Sequence, residues 1–280
     1  MAAVKLTNVS VGDDGTIWTI DSLNRVWARE AGRTIWKQVE NVSAVQVSVG
    51  RQDHIWLLNA DGNLYRRDKG QWEFQRLTVR FMDIAAGSDG TVFAVDRDQG
   101  IWFRTYVNPA WQRDPVAKAV NVAVGSRDHI WSVTADGDLY QRVQDKWAFR
   151  SKHVGAISIS AGADGSVFYI DPGLALYELI GDKWQARPVH PSIQVSVRHR
   201  KELWCIGVGG ELWHILDKLW TRVPHPAETV QKTYVVQRGD TMGKIATLYK
   251  LTLPALIKAN PQIKNPDRIE VGDVINIPTV

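Results

Sequence analysis

With 280 residues, 44% hydrophobic and 23% charged, the chain has the make-up of an ordinary soluble globular protein, long enough for one large domain and a small one. The formal charge of +4 is scattered among acids and forms no basic stripe, which argues against nucleic acid as a partner. The single cysteine, Cys205, excludes an internal disulfide framework and follows Trp204 in an apolar run, so it reads as a core thiol. No segment approaches the roughly 18 apolar residues of a membrane span, and the first residues lack the apolar stretch of a signal peptide. The expected location is therefore cytoplasmic as synthesised, with release or export by a non-classical route left open.

From Val4 onward the chain repeats itself. Trp36, Trp72, Trp111, Trp147, Trp184 and Trp220 stand 36, 39, 36, 37 and 36 residues apart. A second anchor keeps step with them: Val-Ser-Val-Gly at 47–50, Ala-Val-Gly at 123–125, Ile-Ser-Ala-Gly at 159–162, and related copies ending at Gly12 and Gly87. A fixed period of this size marks a repeat architecture. Each copy reads as four short strands, in repeat two 44–49, 55–59, 63–67 and 72–77, with Asp61-Gly62 supplying a tight hairpin turn. The second strands, such as Ile55-Trp56-Leu57-Leu58, are apolar on both faces, as suits a strand sandwiched between neighbouring sheets. Six radially repeated four-stranded antiparallel sheets make an all-β six-bladed β-propeller. The first and sixth copies carry the same apolar anchors as the inner ones, so the ring is expected to close, by whole blades or by a shared terminal strand.

Odd and even copies differ. Asp14-Gly15, Asp89-Gly90 and Asp164-Gly165 recur every 75 residues, as do Asp21, Asp96 and Asp171. Copies two and four carry Asp53-His54-Ile55-Trp56 and Asp128-His129-Ile130-Trp131 instead. The structural unit is thus a pair of blades, and approximate three-fold symmetry follows. Two roles compete for these residues. Asp-Gly makes tight turns, and Asp53 and Asp128 support a neighbouring backbone; or Asp53, His54, Asp128 and His129 offer polar contacts to a sugar. The acids lack calcium-loop spacing and the histidines lack metal-ligand spacing, so neither metal nor cofactor is expected. The closing tryptophans are expected to wedge between blades, with one or two free to stack on a sugar.

The unit Val-Ser-Val-Gly, Asp-Gly-Thr-Ile-Trp, an Asp-Gly hairpin, Tyr-Arg-Arg and Trp resembles the tectonin repeat over about residues 4–225. The resemblance implies a six-bladed propeller that binds bacterial lipopolysaccharide or methylated sugars. Copy six departs from it: Arg198 replaces the anchor glycine, and His199-Arg200-Lys201-Glu202 replaces the turn, which puts a ligand site on that blade in doubt.

After Trp220 the apolar period becomes helical. The propeller is assigned to 1–227, a linker to 228–232 and a small α+β domain to 233–280. Tyr234-Val235-Val236 reads as a strand. Asp240 or Thr241 caps a helix with Ile245, Ala246, Leu248 and Tyr249 as its apolar set. Thr252 caps a second helix with Pro254 in its first turn, and 274–278 returns as a strand. Tyr-Val-Val-Gln-Arg-Gly-Asp-Thr-Met, Ala259-Asn260-Pro261 and Val-Gly-Asp-Val-Ile-Asn-Ile-Pro at 271–278 resemble the LysM domain in order and spacing. That resemblance implies a βααβ fold with a shallow groove for peptidoglycan or chitin. One wall would be Gly239, Asp240, Thr241 and Met242, the other Asn260, Pro261, Gln262 and Ile263. A larger residue is common in the family where Gly243 stands. Residues 232–280 hold seven Lys or Arg against four acids, which favours an anionic wall polymer.

The functional expectation is a non-enzymatic, multivalent lectin of microbial surface glycans: lipopolysaccharide or modified sugars on the ring, peptidoglycan or chitin on LysM. The alternative is a structural adaptor of a phage-tail-like or envelope assembly, with protein partners on the propeller. Catalysis is disfavoured, because a glycosidase needs two carboxylates in distinct roles and the acids here recur at repeat spacing.

Overall fold

The computed structural model describes residues 4–188, 190–226 and 232–277. It divides into two compact units, Met1–His225 and Pro226–Val280. The 228–232 linker, but for Lys232, and Pro278 of the last LysM motif lie outside the described residues. No described helix is long and apolar enough to cross a membrane.

The first unit is a six-bladed propeller of four-stranded antiparallel sheets. The blades occupy 6–43, 46–74, 81–118, 121–151, 158–187 and 192–223, and each takes its four strands consecutively from the chain. Closure is therefore by whole blades, and no terminal strand is shared. The innermost strand of each blade neighbours that of the next, and Ser192–His199 of blade 6 meets Leu6–Val11 of blade 1. Second strands are buried on both faces, as their composition predicts: Ile17–Asp21 and Val92–Asp96 are buried at every position.

The inner strands are not hydrogen-bonded to one another as a sheet, so their outward N–H groups need other partners. Polar side chains from the preceding blade supply them. Asn8 and Ser10 accept from Val47 and Val49, both at 2.9 Å. Gln46 and Ser48 accept from Ile84 and Ala86, at 3.2 and 2.8 Å. Ser158 and Ser160 serve Val195 and Val197, at 3.2 and 3.0 Å. Gln194 and Ser196 complete the circuit at Val9 and Val11, at 2.7 and 2.9 Å. This explains the alternation of small polar and β-branched residues on these strands.

Between blades the apolar layer is aromatic. Trp72 meets Trp18 of blade 1 edge-on at 5.9 Å, Trp111 meets Trp56 at 5.7 Å, Trp147 meets Phe93 at 6.2 Å and Trp184 meets Trp131 at 6.1 Å. Such pairs add about 0.5–1.5 kcal/mol each beyond area burial. All six closing tryptophans act as wedges; Trp36 is buried and the other five half-buried, so none is an exposed sugar platform. Four arginines complete the wedges. The guanidinium of Arg29 lies over Trp36 and Trp204, that of Arg67 over Trp18 and Trp72, and that of Arg104 over Trp56 and Trp111. Arg142 covers Phe93, Phe103 and Trp147. The buried Nε atoms of Arg29 and Arg67 have no hydrogen-bond partner among the described residues, and the ring faces stand in for one.

The second unit pairs Lys232–Val235 with Val274–Ile277 and places helix α1 (Met242–Leu248) and helix α2 (Leu253–Lys258) between them in sequence. Its core is Val236, Met242, Ile245, Ala246, Leu256, Ile275 and Ile277. Thr241 caps α1 by accepting from the Lys244 N–H at 3.2 Å, and Thr252 caps α2. Asp240 is not the cap. Leu248, expected on the buried face, is 63% exposed, because the seven-residue helix turns only Met242, Ile245 and Ala246 inward.

Candidate functional site

The 75-residue acids of the propeller hold turns and junctions. Asp14, Asp89 and Asp164 each accept from their own turn with one oxygen, at Thr16, Thr91 and Ser166. The other oxygen accepts from the next blade, at Gln52 N (2.8 Å), Arg127 N (2.9 Å) and Arg200 N (2.9 Å). Asp21, Asp96 and Asp171 accept backbone N–H bonds in the hairpin between strands two and three. The neighbouring backbone is thus supported by Asp14, Asp89 and Asp164 and not by Asp53 or Asp128. Those two are exposed, and neither carboxylate accepts a hydrogen bond among the described residues.

His54 and His129 sit where an even blade meets the following odd one. A Cβ placed on Gly90 would meet the His54 ring at 3.2 Å, and one on Gly165 would meet His129 at 2.9 Å. His54 Nδ1 is bonded to the Ser88 carbonyl at 3.2 Å, while His129 Nδ1 pairs with the Ser126 hydroxyl at 3.1 Å. Burial holds the His54 imidazole below its ordinary pKa, and the charge of Arg51 adds to the effect. The third equivalent junction is rebuilt. Arg198, in place of the anchor glycine, lies against Gly15, donates to the Asp13 carbonyl at 3.0 Å and pairs with Glu202 at 2.7 Å. His214 hydrogen-bonds the same carboxylate, which these partners hold down to about 2. Copy six therefore departs from the repeat in order to join the last blade to the first.

In the LysM unit the eight expected groove residues divide by role. Met242 and Asn260 are 2% and 1% exposed. Asn260 donates to the carbonyls of Leu256 (2.8 Å) and Asn276 (2.7 Å), and its Oδ1 accepts from Asn276 N at 2.7 Å and from Gln262 at 2.8 Å. One side chain thereby joins α2, the last strand and the loop between them. Asp240 accepts from the Tyr234 hydroxyl at 2.7 Å and from Gln237 N at 2.8 Å, bonds that lower its carboxyl pKa. Gly239, with φ +90, has open space where a side chain would point, and Gly243 has only the Thr241 hydroxyl nearby. Thr241, Pro261 and Gln262 are exposed and Ile263 half-buried. The two loops are therefore held by side chains directed inward at Asp240, Met242 and Asn260. Backbone and the side chains of Pro261 and Gln262 remain accessible. Sequence reasoning grouped these residues as walls; it missed the separation because a motif does not say which members face the core.

Comparisons with known proteins agree with this architecture. The sequence matches the tectonin domain over residues 1–153, the first four blades, and the LysM domain over 234–278. It is 46% identical over 46 residues to the secreted LysM effector ECP6 of Passalora fulva, covering 16% of this chain and 20% of that one. It is 42% identical over 52 residues to an endolysin of Bacillus phage B103, covering 19% and 20%. The chain thus spans about 20% of the length of these curated relatives, and the part shared with the endolysin is the LysM region. Among solved structures, human WBSCR16 superposes with a TM-score of 0.55 at 13% identity, over 81% of this chain and 83% of that one, a likeness of fold alone. The chain belongs to the tectonin-domain family and carries a LysM domain after its propeller.

Proposed function

We propose that the protein is a non-enzymatic, multivalent lectin of microbial surfaces. Its LysM unit binds GlcNAc-containing polymers, peptidoglycan or chitin, and its propeller binds lipopolysaccharide-type or modified sugars. The observation that carries this reading is the LysM unit: its sequence match covers both loops, and those loops are pre-formed by bonds of Asp240, Thr241 and Asn260 that leave Pro261 exposed. A loop ordered before the ligand arrives loses less entropy on binding. The relatives matched by this region are a LysM effector and an endolysin, which supports a wall-polymer ligand. Shallow sugar sites are individually weak, and tethering a second kind of site raises apparent affinity through effective concentration.

The test is retention of the full chain on purified peptidoglycan sacculi and on chitin. A Pro261→Asp variant changes one exposed side chain and leaves the Asn260 bonds to Leu256, Asn276 and Gln262 in place. It should lose at least about fivefold in retention, roughly 1 kcal/mol, with unchanged circular dichroism. Retention equal to wild type on both polymers would remove the LysM groove as the binding site.

A further inference from the structure

One of the three even-to-odd junctions carries a feature that the three-fold plan does not repeat. In blade 3 the loop between strands three and four, 105–111, is closed by its own bonds. Thr105 N donates to Asn108 O (3.0 Å), Asn108 N to the Thr105 hydroxyl (3.0 Å) and Ala110 N to Asn108 Oδ1 (3.3 Å). This ordered loop holds Tyr106 76% exposed and Val107 89% exposed. Seventy-five residues earlier the corresponding loop has Ala31-Gly32, and in blade 5 a short hairpin at Gly181-Asp182 takes its place. The propeller folds around those two loops without an aromatic residue there, so stability does not require Tyr106.

Tyr106 stands beside His54. The two ring centroids are 6.5 Å apart at 45°, and both residues border Gly90, where a Cβ would lie 3.2 Å from the His54 ring and 3.3 Å from Tyr106 Cβ, so glycine lets the two side chains share this junction. A carbonyl oxygen only accepts, so the bond to Ser88 O places the imidazole proton on Nδ1. Burial favours the neutral ring. Nε2 is then a bare acceptor with no hydrogen-bond partner among the described residues. At the matching junction His129 pairs with a hydroxyl, which leaves its tautomer free, and the corresponding hairpin at Gly181-Asp182 carries no aromatic residue.

We infer that the junction of blades 2 and 3 is a hexopyranose subsite, in which the sugar's C–H face stacks on Tyr106 and one of its hydroxyls donates to His54 Nε2. An exposed aromatic face next to a neutral acceptor matches a ring with an apolar face and hydroxyl donors at its edge. This deepens the proposed lectin reading by naming one site on the ring.

The experiment is calorimetric titration of the full chain with lipid-free oligosaccharide released from lipopolysaccharide and with a panel of methyl hexopyranosides, in the presence of chitotetraose to occupy LysM. Tyr106→Ala should weaken binding about tenfold with no change in melting temperature, since the residue is exposed. His54→Phe, which keeps a ring and loses the acceptor, should weaken it at least fivefold, and Val116→Ser elsewhere on blade 3 should leave it unchanged. Wild-type affinity in both Tyr106→Ala and His54→Phe would overturn this subsite while leaving a glycan-binding ring intact. Absence of binding by wild type to every sugar would overturn the ring's lectin role and this subsite with it.

Discussion

Asp83 is the one acid among six equivalent inner-strand positions, the others being Asn8, Gln46, Asn121, Ser158 and Gln194. It lines a central channel of about 220 Å³ and accepts from Gln46 at 2.7 Å, Asn121 at 3.0 Å and Val122 N at 2.7 Å. Burial nonetheless pushes its carboxyl up to about 6 from 3.8. A carboxyl whose pKa rises on folding binds its proton better in the folded state, so its contribution is greatest below pH 4 and declines as pH rises to 6. Denaturant midpoints measured between pH 4 and 6 should fall in wild type and stay flatter in Asp83→Asn; parallel profiles would refute the assignment. The sequence shows an acid at this position but not that it faces a channel, because alternation along a strand does not say which face is the axis.

At the scale of the element, glycine decides how closely blades approach. A Cβ on Gly50 would lie 2.0 Å from the Gly87 carbonyl oxygen, and one on Gly125 would lie 2.0 Å from that of Gly162. The obstacle is backbone, which cannot rotate away. Gly50→Ala and Gly125→Ala should each destabilise by about 3 kcal/mol or more. Gly32, where nothing lies within 4 Å, has φ +69, and Gly32→Ala should cost only about 1 kcal/mol from the strained backbone. Chemical denaturation of the three variants checks the ranking. The anchor glycines, wedge tryptophans and hairpin turns were legible because each recurs in register, and recurrence separates a structural demand from chance. The arginine wedges were visible only as Tyr-Arg-Arg, since Arg66 and Arg67 look alike until the strand's faces are assigned. Met242 and Leu248 show the same limit in the LysM unit: a helix of seven residues has too few turns for its period to fix which face is buried.

At the scale of the whole propeller, the seam between blades 6 and 1 lacks the glycine contact used at the two other junctions of its kind. Arg198 bridges it by donating to the Asp13 carbonyl of blade 1, while Glu202 of its own blade holds the guanidinium in place. Arg198→Ala breaks both bonds and leaves the largely buried Glu202 with fewer partners, at a cost of about 1–3 kcal/mol. The sign with pH follows from the depressed carboxyl: its contribution is present above about 4.5 and is lost as pH falls toward 2. The difference between wild type and Arg198→Ala should therefore shrink below pH 4, and a constant gap in melting temperature would show that Glu202 is not the partner that matters. Closure mode was not legible in the sequence, because both ways of closing begin with the same apolar pattern near Val4.

That each blade is drawn from one uninterrupted stretch of chain has an evolutionary corollary. Copying or excising 75 residues in frame adds or removes two intact sheets, and no distant strand has to be rethreaded to complete them. Ring size in such a lineage can thus change through a single recombination event, after which every junction must adopt a new angle and the seam sealed by Arg198 must join a different pair of blades.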